Sequence, residues 1–336
     1  MFDHKHYVPI LKTKAGERWA IANLRQRTKS FITPLFEVHK HRTMSAVEYA
    51  PELCEDLASV WGTDLPFFMD TTWLHGATGD AEIIHAVFES ARNSGLQAIP
   101  VVRRGYDDAT YTEIQAIVAE DGLGYLLRLL SNTISDAATI NDIVQHIGVP
   151  ISSAHLMVDY RTVSMNLPID LPQIPNLSQW QTLIAASGVF PASVSGIPIG
   201  NWNIIQRNDW MSWIEQLTSG QLPRQPAFSD YAMRSPGAPS DFGDPSVNLR
   251  YAKSAHWIVR VGGRFKQGHA PDMFRICQEL VARPEFDGQN FSVGDQAIFE
   301  VATQVSGPGA PQQWLQWCMN HHIEFTSQEI RNHPLL

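Results

Sequence analysis

Hydrophobic residues occur in short continuous runs along the chain, and most runs are followed by a segment with helical periodicity. Runs of this kind, rich in branched and aromatic residues, predict strands that are covered on both faces, as in a parallel sheet. Eight runs precede residue 232, at residues 7–12, 31–38, 65–70, 98–103, 124–129, 155–159, 190–199 and 225–231. The sequence therefore predicts a repeated strand–helix unit.

The intervening segments carry apolar residues at i, i+3, i+4 and i+7, which is typical of helices with one buried face. Four such stripes cover residues 83–91, 140–147, 177–184 and 210–217. Each is followed by a glycine, the usual left-handed stop of a helix. Thr110 and Glu113 have capping-box spacing and predict the start of a further helix.

The fold class that this alternation predicts is α/β, a TIM-like (β/α)8 barrel with a C-terminal α+β appendage. Eight strand–helix units in about 230 residues suit this barrel, which is about 250 residues long. Neither a dinucleotide-binding glycine motif nor a P-loop is present. We expect the barrel at residues 1–234 and the appendage, packed on it as one structural unit, at residues 235–336. The sequence leaves open which candidate strand closes the barrel, because a ninth run follows at residues 256–262. Residues 235–245, rich in Gly, Pro and Ser, predict an exposed loop.

Composition excludes several classes of protein. The 336 residues are 44% hydrophobic and 18% charged, which indicates a folded globule. No apolar run approaches the roughly 20 residues that span a bilayer, and the first residues do not resemble a secretory signal. Three widely spaced cysteines favour the cytoplasm. A net charge of −9 makes duplex DNA an unexpected partner.

Charged residues follow the predicted strands, where a parallel α/β barrel has its active site. We expect Glu37, Asp70, Asp159 and Asp230 as candidate acid–base residues. Candidate ligand-binding residues also lie at predicted strand ends or in loops. They are Lys12, Arg103, Arg128, Tyr231, Asn248, Arg250, Tyr251 and Arg260. Arginine and lysine at such a mouth suit phosphate or carboxylate. The alternative is a structural ion-pair network that closes the mouth, since buried charges require partners.

No metal site is predicted from the histidines, because none has a zinc-ligand spacing. Adjacent His321 and His322 are expected to point apart. Magnesium bound to Glu37, Asp70 or Asp159 is the remaining metal hypothesis, and the sequence identifies no cofactor. Nucleophile signatures such as GxSxG are absent from the sequence.

Several motifs resemble the phage and bacterial beta protein family across nearly the whole chain. They are YVPILKTKAGERWAIANL at residues 7–24, ITPLFEV at 32–38, SDYA at 229–232, NLRY at 248–251, GD at 294–295 and NHH at 320–322. The resemblance implies no settled activity. It implies cytosolic proteins of phages and of bacterial mobile or defence loci, and hence a role in phage–host conflict. The motif residues that it makes better candidates are Lys12, Lys14, Glu17, Glu37, Asp230, Tyr231, Asn248, Arg250, Tyr251, Asp295, Asn320 and His322.

Two functions from different classes fit these observations. In the first, the barrel mouth binds a small anionic ligand such as a nucleotide or phosphate ester, with hydrolytic or lyase chemistry left open. Asn248, Arg250 and Tyr251 would then form a lid. In the second, the chain is a non-catalytic recognition subunit whose protein partner is encoded by a neighbouring defence or phage gene. Ten tryptophans favour the second function, because aromatic residues dominate interface energetics.

Overall fold

Eight parallel strands close into a barrel in the computed structural model, which describes residues 2–130, 137–162, 174–220, 222–237 and 243–334. The first seven barrel strands are β1 Tyr7–Lys12, β2 Leu35–Glu37, β3 Phe67–Asp70, β4 Ala98–Val102, β5 Tyr125–Leu130, β6 Ala154–Thr162 and β7 Thr182–Gly188. β8 Trp202–Gln206 belongs to a second sheet, and β9 Ala227–Asp230 closes the barrel between β7 and β1. The predicted TIM-like barrel is confirmed.

Helices follow most of the barrel strands and form the outer layer. In chain order they are α1 Ala15–Ala22, α2 Gln26–Lys29, α3 Ala46–Trp61, α4 Thr72–His75, α5 Ala81–Asn93, α6 Asp108–Asp121, α7 Ala137–Ile147, α8 Asn208–Ser219, α9 Asp272–Val281, α10 Val293–Ala302 and α11 Pro311–Asn332. The predicted capping box is wrong by one turn. The cap of α6 is Asp107, whose carboxylate accepts a hydrogen bond from the backbone N–H of Thr110.

The seventh barrel strand is the main correction to the predicted elements. Residues 177–184 were expected in a helix, but β7 occupies Thr182–Gly188 and is buried along its length. Its small and apolar residues are compatible with a buried strand and with the buried face of a helix, so periodicity alone did not distinguish the two structures. The predicted strand at residues 190–199 is instead irregular, since Pro191, Gly196 and Pro198 interrupt it.

A three-stranded antiparallel sheet lies beside the barrel, in the order β10 Ser246–Ala252, β11 His256–Arg264 and β8. The ninth apolar run is therefore β11 and takes no part in the barrel. β8 comes from the chain before residue 234, so the sheet combines strands from both predicted regions. Helix α11 packs against β10 on one side and against α1 of the barrel on the other.

Strand alternation divides the buried residues of the barrel into an interior and an outer layer. Interior positions include Val8 and Ile10 of β1, whereas Tyr7 and Leu11 pack outward against helices. The second sheet has its own core beneath α9, α10 and α11. Of the predicted loop at residues 235–245, residues 238–242 lie outside the described part of the chain. No helix in the described ranges is long and apolar enough to cross a bilayer.

Candidate functional site

Three charged residues of the site are aligned by the register of neighbouring strands. Lys12 of β1 is paired in register with Glu37 of β2, and Glu37 is paired with Asp70 of β3. Each follows inward-facing apolar residues at i−2, so period-two alternation directs all three side chains into the barrel. They form one layer at the carboxyl ends of the strands.

Arg128 of β5 lies at the centre of this layer and is 1% exposed. Its Nε and Nη2 donate to Asp159 Oδ2 at 3.0 and 2.7 Å. Its Nη1 donates to Glu37 Oε1 at 3.0 Å and to Asp70 Oδ2 at 2.7 Å. Tyr231 completes the cluster, because its hydroxyl accepts from Arg128 Nη2 at 2.9 Å and donates to Asp159 Oδ2 at 2.6 Å. One guanidinium thus joins side chains from four other strand ends.

Arg103 extends the cluster by a second interaction with Asp70. Its Nη2 lies 2.5 Å from Asp70 Oδ2, and its Nε lies 3.2 Å from the same oxygen. Burial alone would raise the pKa of the Asp70 carboxyl, but the charges of Arg103 and Arg128 outweigh burial and hold that pKa well below its usual value. Asp70 is therefore an ionised partner of two arginines and is poorly suited to act as a general base.

Opposite charges balance within the barrel mouth. Three cations face three carboxylates: Lys12, Arg103 and Arg128 with Glu37, Asp70 and Asp159. The ion-pair network expected as the alternative is thus present in the deepest layer. One carboxylate oxygen is left over, because Glu37 Oε2 is buried and has no hydrogen-bond partner among the described residues.

Asp230 does not join this cluster, contrary to the expectation that four carboxylates share the rim. It lies on β9 immediately before inward-facing Tyr231, so alternation directs Asp230 to the outer layer. There it accepts hydrogen bonds from Tyr7 Oη at 2.6 Å and from His322 Nε2 at 2.8 Å, and Arg207 lies 3.6 Å away. Burial would raise the pKa of Asp230, but His322 and Arg207 lower it to about 2.

Tyr251 and Arg260 also lie away from the mouth. Tyr251 donates to Asp295 Oδ1 at 2.7 Å beneath α11, and Asp295 also contacts His321 Nδ1 at 2.9 Å. Arg260 of β11 pairs with Glu279 of α9 at 2.9 Å. Both side chains belong to the second sheet because β10 and β11 are outside the barrel. Asn248, Arg250 and Tyr251, which were expected to form a lid, lie in strand β10.

A cavity of about 520 Å³ adjoins the barrel mouth, between β1, the segment after β9 and the second sheet. Lys12 lines it from the barrel, and its Nζ donates to Gly237 O at 2.5 Å. Arg250 and Asn248 line it from β10. The charged residues of its described lining are four cations and one carboxylate: Lys12, Arg234, Arg250, Arg264 and Asp244.

Arg250 differs from the other buried arginines in its partners. Its Nε donates to Asn248 Oδ1 and its Nη1 to Met233 O, both at 3.0 Å, and its guanidinium stacks 4.5 Å from the Phe190 ring. No carboxylate of the described residues lies within 4.0 Å of it. It is partly buried and lines the cavity. Burial lowers the pKa of Arg250 to about 10, and Arg234 adds to the lowering. This positive charge therefore has no carboxylate partner among the described residues.

Sequence reasoning missed Arg234 and Arg264 as cavity residues. Arg234 follows the SDYA motif by two positions and pairs with buried Glu17 at 3.0 Å. Arg264 ends β11, and its Nη1 donates to Asp244 O at 2.7 Å. Both arginines lie at or just after the end of a strand, which is a signal that the sequence offers. The cavity that both residues line, however, forms only where the second sheet packs beside the barrel.

The histidine pair divides between two clusters, which agrees with the expectation that the two rings point apart. His322 contacts Asp230, and its Nδ1 lies 3.4 Å from Trp257 Nε1, whereas His321 contacts Asp295. Within the described ranges, no group of three or more His, Cys, Asp and Glu side chains has a geometry that would hold a metal ion. The three mouth carboxylates converge on the Arg128 guanidinium instead of on a common cation position.

The fold and this site define a (β/α)8 barrel whose mouth is closed by an arginine-centred ion network beside a cationic cavity. The chain belongs to the Beta protein family, whose model matches residues 7–328. No curated protein matches the chain.

Proposed function

We propose that the cavity beside the barrel mouth binds a small anionic ligand of the phosphate-ester class. The single observation that supports this most strongly is Arg250, a partly buried guanidinium that lines the cavity and has no carboxylate of the described residues within ion-pair distance. A buried charge without a counter-ion is costly, and an anion in the cavity would remove that cost.

The remaining cations support the same ligand. Lys12, Arg234 and Arg264 line the cavity from three different segments; Asp244 is the one carboxylate of its described lining, and Arg234 also pairs with Glu17 behind it. A guanidinium donates two parallel hydrogen bonds to phosphate or carboxylate, which favours Arg250 and Arg234 as oriented contacts. A ligand with several anionic oxygens would contact more than one wall at once.

The proposal concerns binding, and chemistry would depend on Glu37. Asp70 and Asp159 are occupied by arginines, whereas Glu37 Oε2 accepts no hydrogen bond from the described residues. Glu37 is also the cross-strand neighbour of Lys12, which reaches the cavity. Glu37 nevertheless pairs with Arg128 through Oε1, is fully buried and does not line the cavity, so the proposal is one of binding and assigns no base.

Thermal denaturation with and without pyrophosphate tests the proposal. We expect pyrophosphate to raise the Tm of the native protein, because a ligand that binds only the folded state stabilises it. Arg250→Met should abolish the rise. Arg275→Met is the matched control, since Arg275 is exposed on α9 and pairs with Glu279 outside the cavity. Sodium chloride at equal ionic strength separates specific binding from a salt effect. A native protein without a pyrophosphate response, or Arg250→Met with an undiminished one, contradicts the proposal.

A second function, recognition of a protein partner, is favoured by apolar residues exposed around β8. Ile199, Ile204 and Met211 are 66%, 62% and 49% exposed, and β8 is the terminal strand of the second sheet as described. Co-expression with the product of a neighbouring phage or defence gene should give a stoichiometric complex by size-exclusion chromatography. Ile204→Asp should dissociate it, whereas Val305→Asp, at another exposed apolar position, should not. Equal effects of both variants, or no complex, contradict this function.

The biological setting that we infer is phage–host conflict in the cytoplasm. The first part of this inference rests on the resemblance noted in the sequence motifs, and the second on three buried free cysteines.

A further inference from the structure

Two arginines from opposite walls of the cationic cavity lie near each other. Arg234 comes from the segment after β9, whereas Arg250 lies on β10, and both also line a smaller cavity of about 170 Å³ beside the first. Arg250 Nη1 donates to the carbonyl oxygen of Met233, which directly precedes Arg234. The charge of Arg234 also contributes to the lowered pKa of Arg250. The barrel and the second sheet thus each supply one guanidinium to the same region.

The protein engages each guanidinium through only some of its nitrogens. Arg250 donates through Nε to Asn248 Oδ1 and through Nη1 to Met233 O. Arg234 donates through Nε to Glu17 Oε1. Three terminal nitrogens therefore donate no hydrogen bond to the described residues: Nη1 and Nη2 of Arg234, and Nη2 of Arg250.

Glu17 of α1 fixes the direction of Arg234. Its side chain is 1% exposed, whereas that of Arg234 is 29% exposed, so the pair extends from the interior to the cavity wall. Only Glu17 Oε1 contacts Arg234, because Glu17 Oε2 is buried without a hydrogen-bond partner in the described ranges. The contact is therefore not bidentate, and it leaves the terminal fork of the arginine available to a ligand.

A strained turn also places Arg234 at the cavity. Ala232 and Met233 are buried and have φ values of 42° and 69°, a left-handed conformation that is uncommon for residues with a Cβ. Such backbone persists only where the surrounding structure fixes it, and it is concentrated at functional sites. Here the Arg234 N–H donates to Tyr231 O at 2.8 Å.

Resting on the proposed function, we infer that the bound anion is a phosphate monoester, held by Arg234 and Arg250, with Glu17 as the residue that positions Arg234. A monoester phosphate carries about −1.5 to −2 charges at pH 7 and three strong acceptor oxygens. These oxygens match the three terminal nitrogens that the described residues leave without an acceptor. The second ester bond of a phosphodiester removes one of the oxygens and part of the charge.

Isothermal titration calorimetry on the full chain tests this inference with pyrophosphate, methyl phosphate and dimethyl phosphate. The measured quantity is the ratio of the dissociation constants of dimethyl phosphate and methyl phosphate. We expect a ratio of about ten or more for the native protein, since one additional hydrogen bond between charged groups contributes at least that factor.

Arg234→Lys tests the guanidinium fork, because it keeps the charge and removes the planar pair of donors. The ratio should fall by about fivefold or more. Arg275→Lys is the matched control, since Arg275 is exposed on α9 and lies outside both cavities, and its ratio should stay at the native value.

Two substitutions test the positioning role of Glu17. Glu17→Leu removes the acceptor for Arg234 Nε and should lower the ratio, whereas Glu17→Gln keeps an oxygen acceptor and should restore it. A purely structural role would lower the Tm of the variants and leave the ratio unchanged. If Glu17→Leu does not fold, Arg234→Lys still tests the monoester inference through the partly exposed partner.

The outcomes separate this inference from the proposed function. If pyrophosphate does not bind, the anion site is wrong and the monoester inference is overturned with it. If pyrophosphate binds but methyl phosphate and dimethyl phosphate bind equally, the anion site stands and the monoester inference is overturned. A native ratio in Arg234→Lys overturns the role of the fork, and equal ratios in the two Glu17 variants overturn the positioning role.

Discussion

Asp230 and Tyr231 are adjacent on β9 and point to opposite sides of the barrel wall. The Tyr231 hydroxyl contacts Arg128 and Asp159 in the mouth, whereas the Asp230 carboxylate accepts hydrogen bonds from Tyr7 and His322 in the outer layer. The end of β9 therefore connects the ion network of the mouth to helix α11. Each cluster contains a buried ionised group, so the position of this strand end is fixed from both sides.

Removing the Tyr231 hydroxyl should destabilise the protein. Tyr231→Phe deletes one donor to Asp159 and one acceptor for Arg128, and the loss of such buried bonds costs about 1–3 kcal/mol. Tyr125→Phe is the matched control, because the Tyr125 hydroxyl is buried without a hydrogen-bond partner in the described part of the chain. The control should be neutral or slightly stabilising. Urea denaturation measures both, and equal effects would show that the Tyr231 bonds contribute nothing.

Arg128→Met should be much more destabilising than the loss of an exposed arginine. It leaves Glu37, Asp70 and Asp159 buried without their common partner, and breaking a buried ion pair in this way costs about 3–5 kcal/mol. Arg275→Met removes an exposed helix pair worth about 0.5 kcal/mol or less. Chemical denaturation of both variants provides the comparison. A mouth that tolerates Arg128→Met as well as Arg275→Met would contradict the electrostatic description of the site.

Gly294 is required for close packing of α10 against α11. A Cβ at this position would lie 2.2 Å from Trp317 O, which is backbone and cannot rotate away. Gly294→Ala should therefore cost about 1–3 kcal/mol or more through overpacking. Gly307→Ala is the control, since a Cβ there has no atom within 4 Å. Thermal melts should show a lower Tm for Gly294→Ala alone; similar melting of the two variants would refute the packing argument.

Asp209 should make folding stability depend on pH. It is buried beside Arg207 and Asp230, and burial raises its pKa from 3.8 to about 7 despite the charge of Arg207. A carboxyl whose pKa is higher in the folded than in the unfolded state makes its full contribution to the free energy of unfolding at a pH below its unfolded pKa. This contribution is lost as the pH rises from about 4 to 7. Asp209→Asn should therefore match the native protein near pH 4 and exceed its stability at pH 8, by on the order of a few kcal/mol.

Urea denaturation at several pH values measures that difference. A native-to-variant difference that does not change between pH 4 and pH 8 would show that the carboxyl does not titrate in this range.

Much of the barrel followed from local pattern. β1 occupies the predicted residues, and β3, β4, β5 and β6 overlap their predicted runs, because a strand buried on both faces requires continuous apolar residues. The seventh strand was not predicted, because continuous apolar residues do not identify a strand uniquely. Thr182–Gly188 is apolar enough to fit either a helical stripe or a buried strand, and only its pairing with β6 and β9 decides between them.

The candidate site was predictable in part. Glu37, Asp70, Arg103, Arg128 and Asp159 were expected at one rim and lie there, since parallel strand ends meet at one edge of a barrel. Asp230 was not separable from them, because a shift of one residue on a strand changes the face to which a side chain points. The contact of Arg260 with Glu279 depends on a sheet whose strand order the apolar runs do not encode.

Alternating apolar runs and glycine-terminated stripes determined, by themselves, that this chain forms a strand–helix barrel with charge at one end. Tertiary structure alone decided how that charge is used. Closure of the barrel gathers three carboxylates around Arg128, and packing of the second sheet leaves Arg250 beside a cavity without a carboxylate of the described residues. The physical reason is that local periodicity specifies which face of an element is buried, whereas the balance of charge depends on residues that are distant in sequence and meet only in the folded chain.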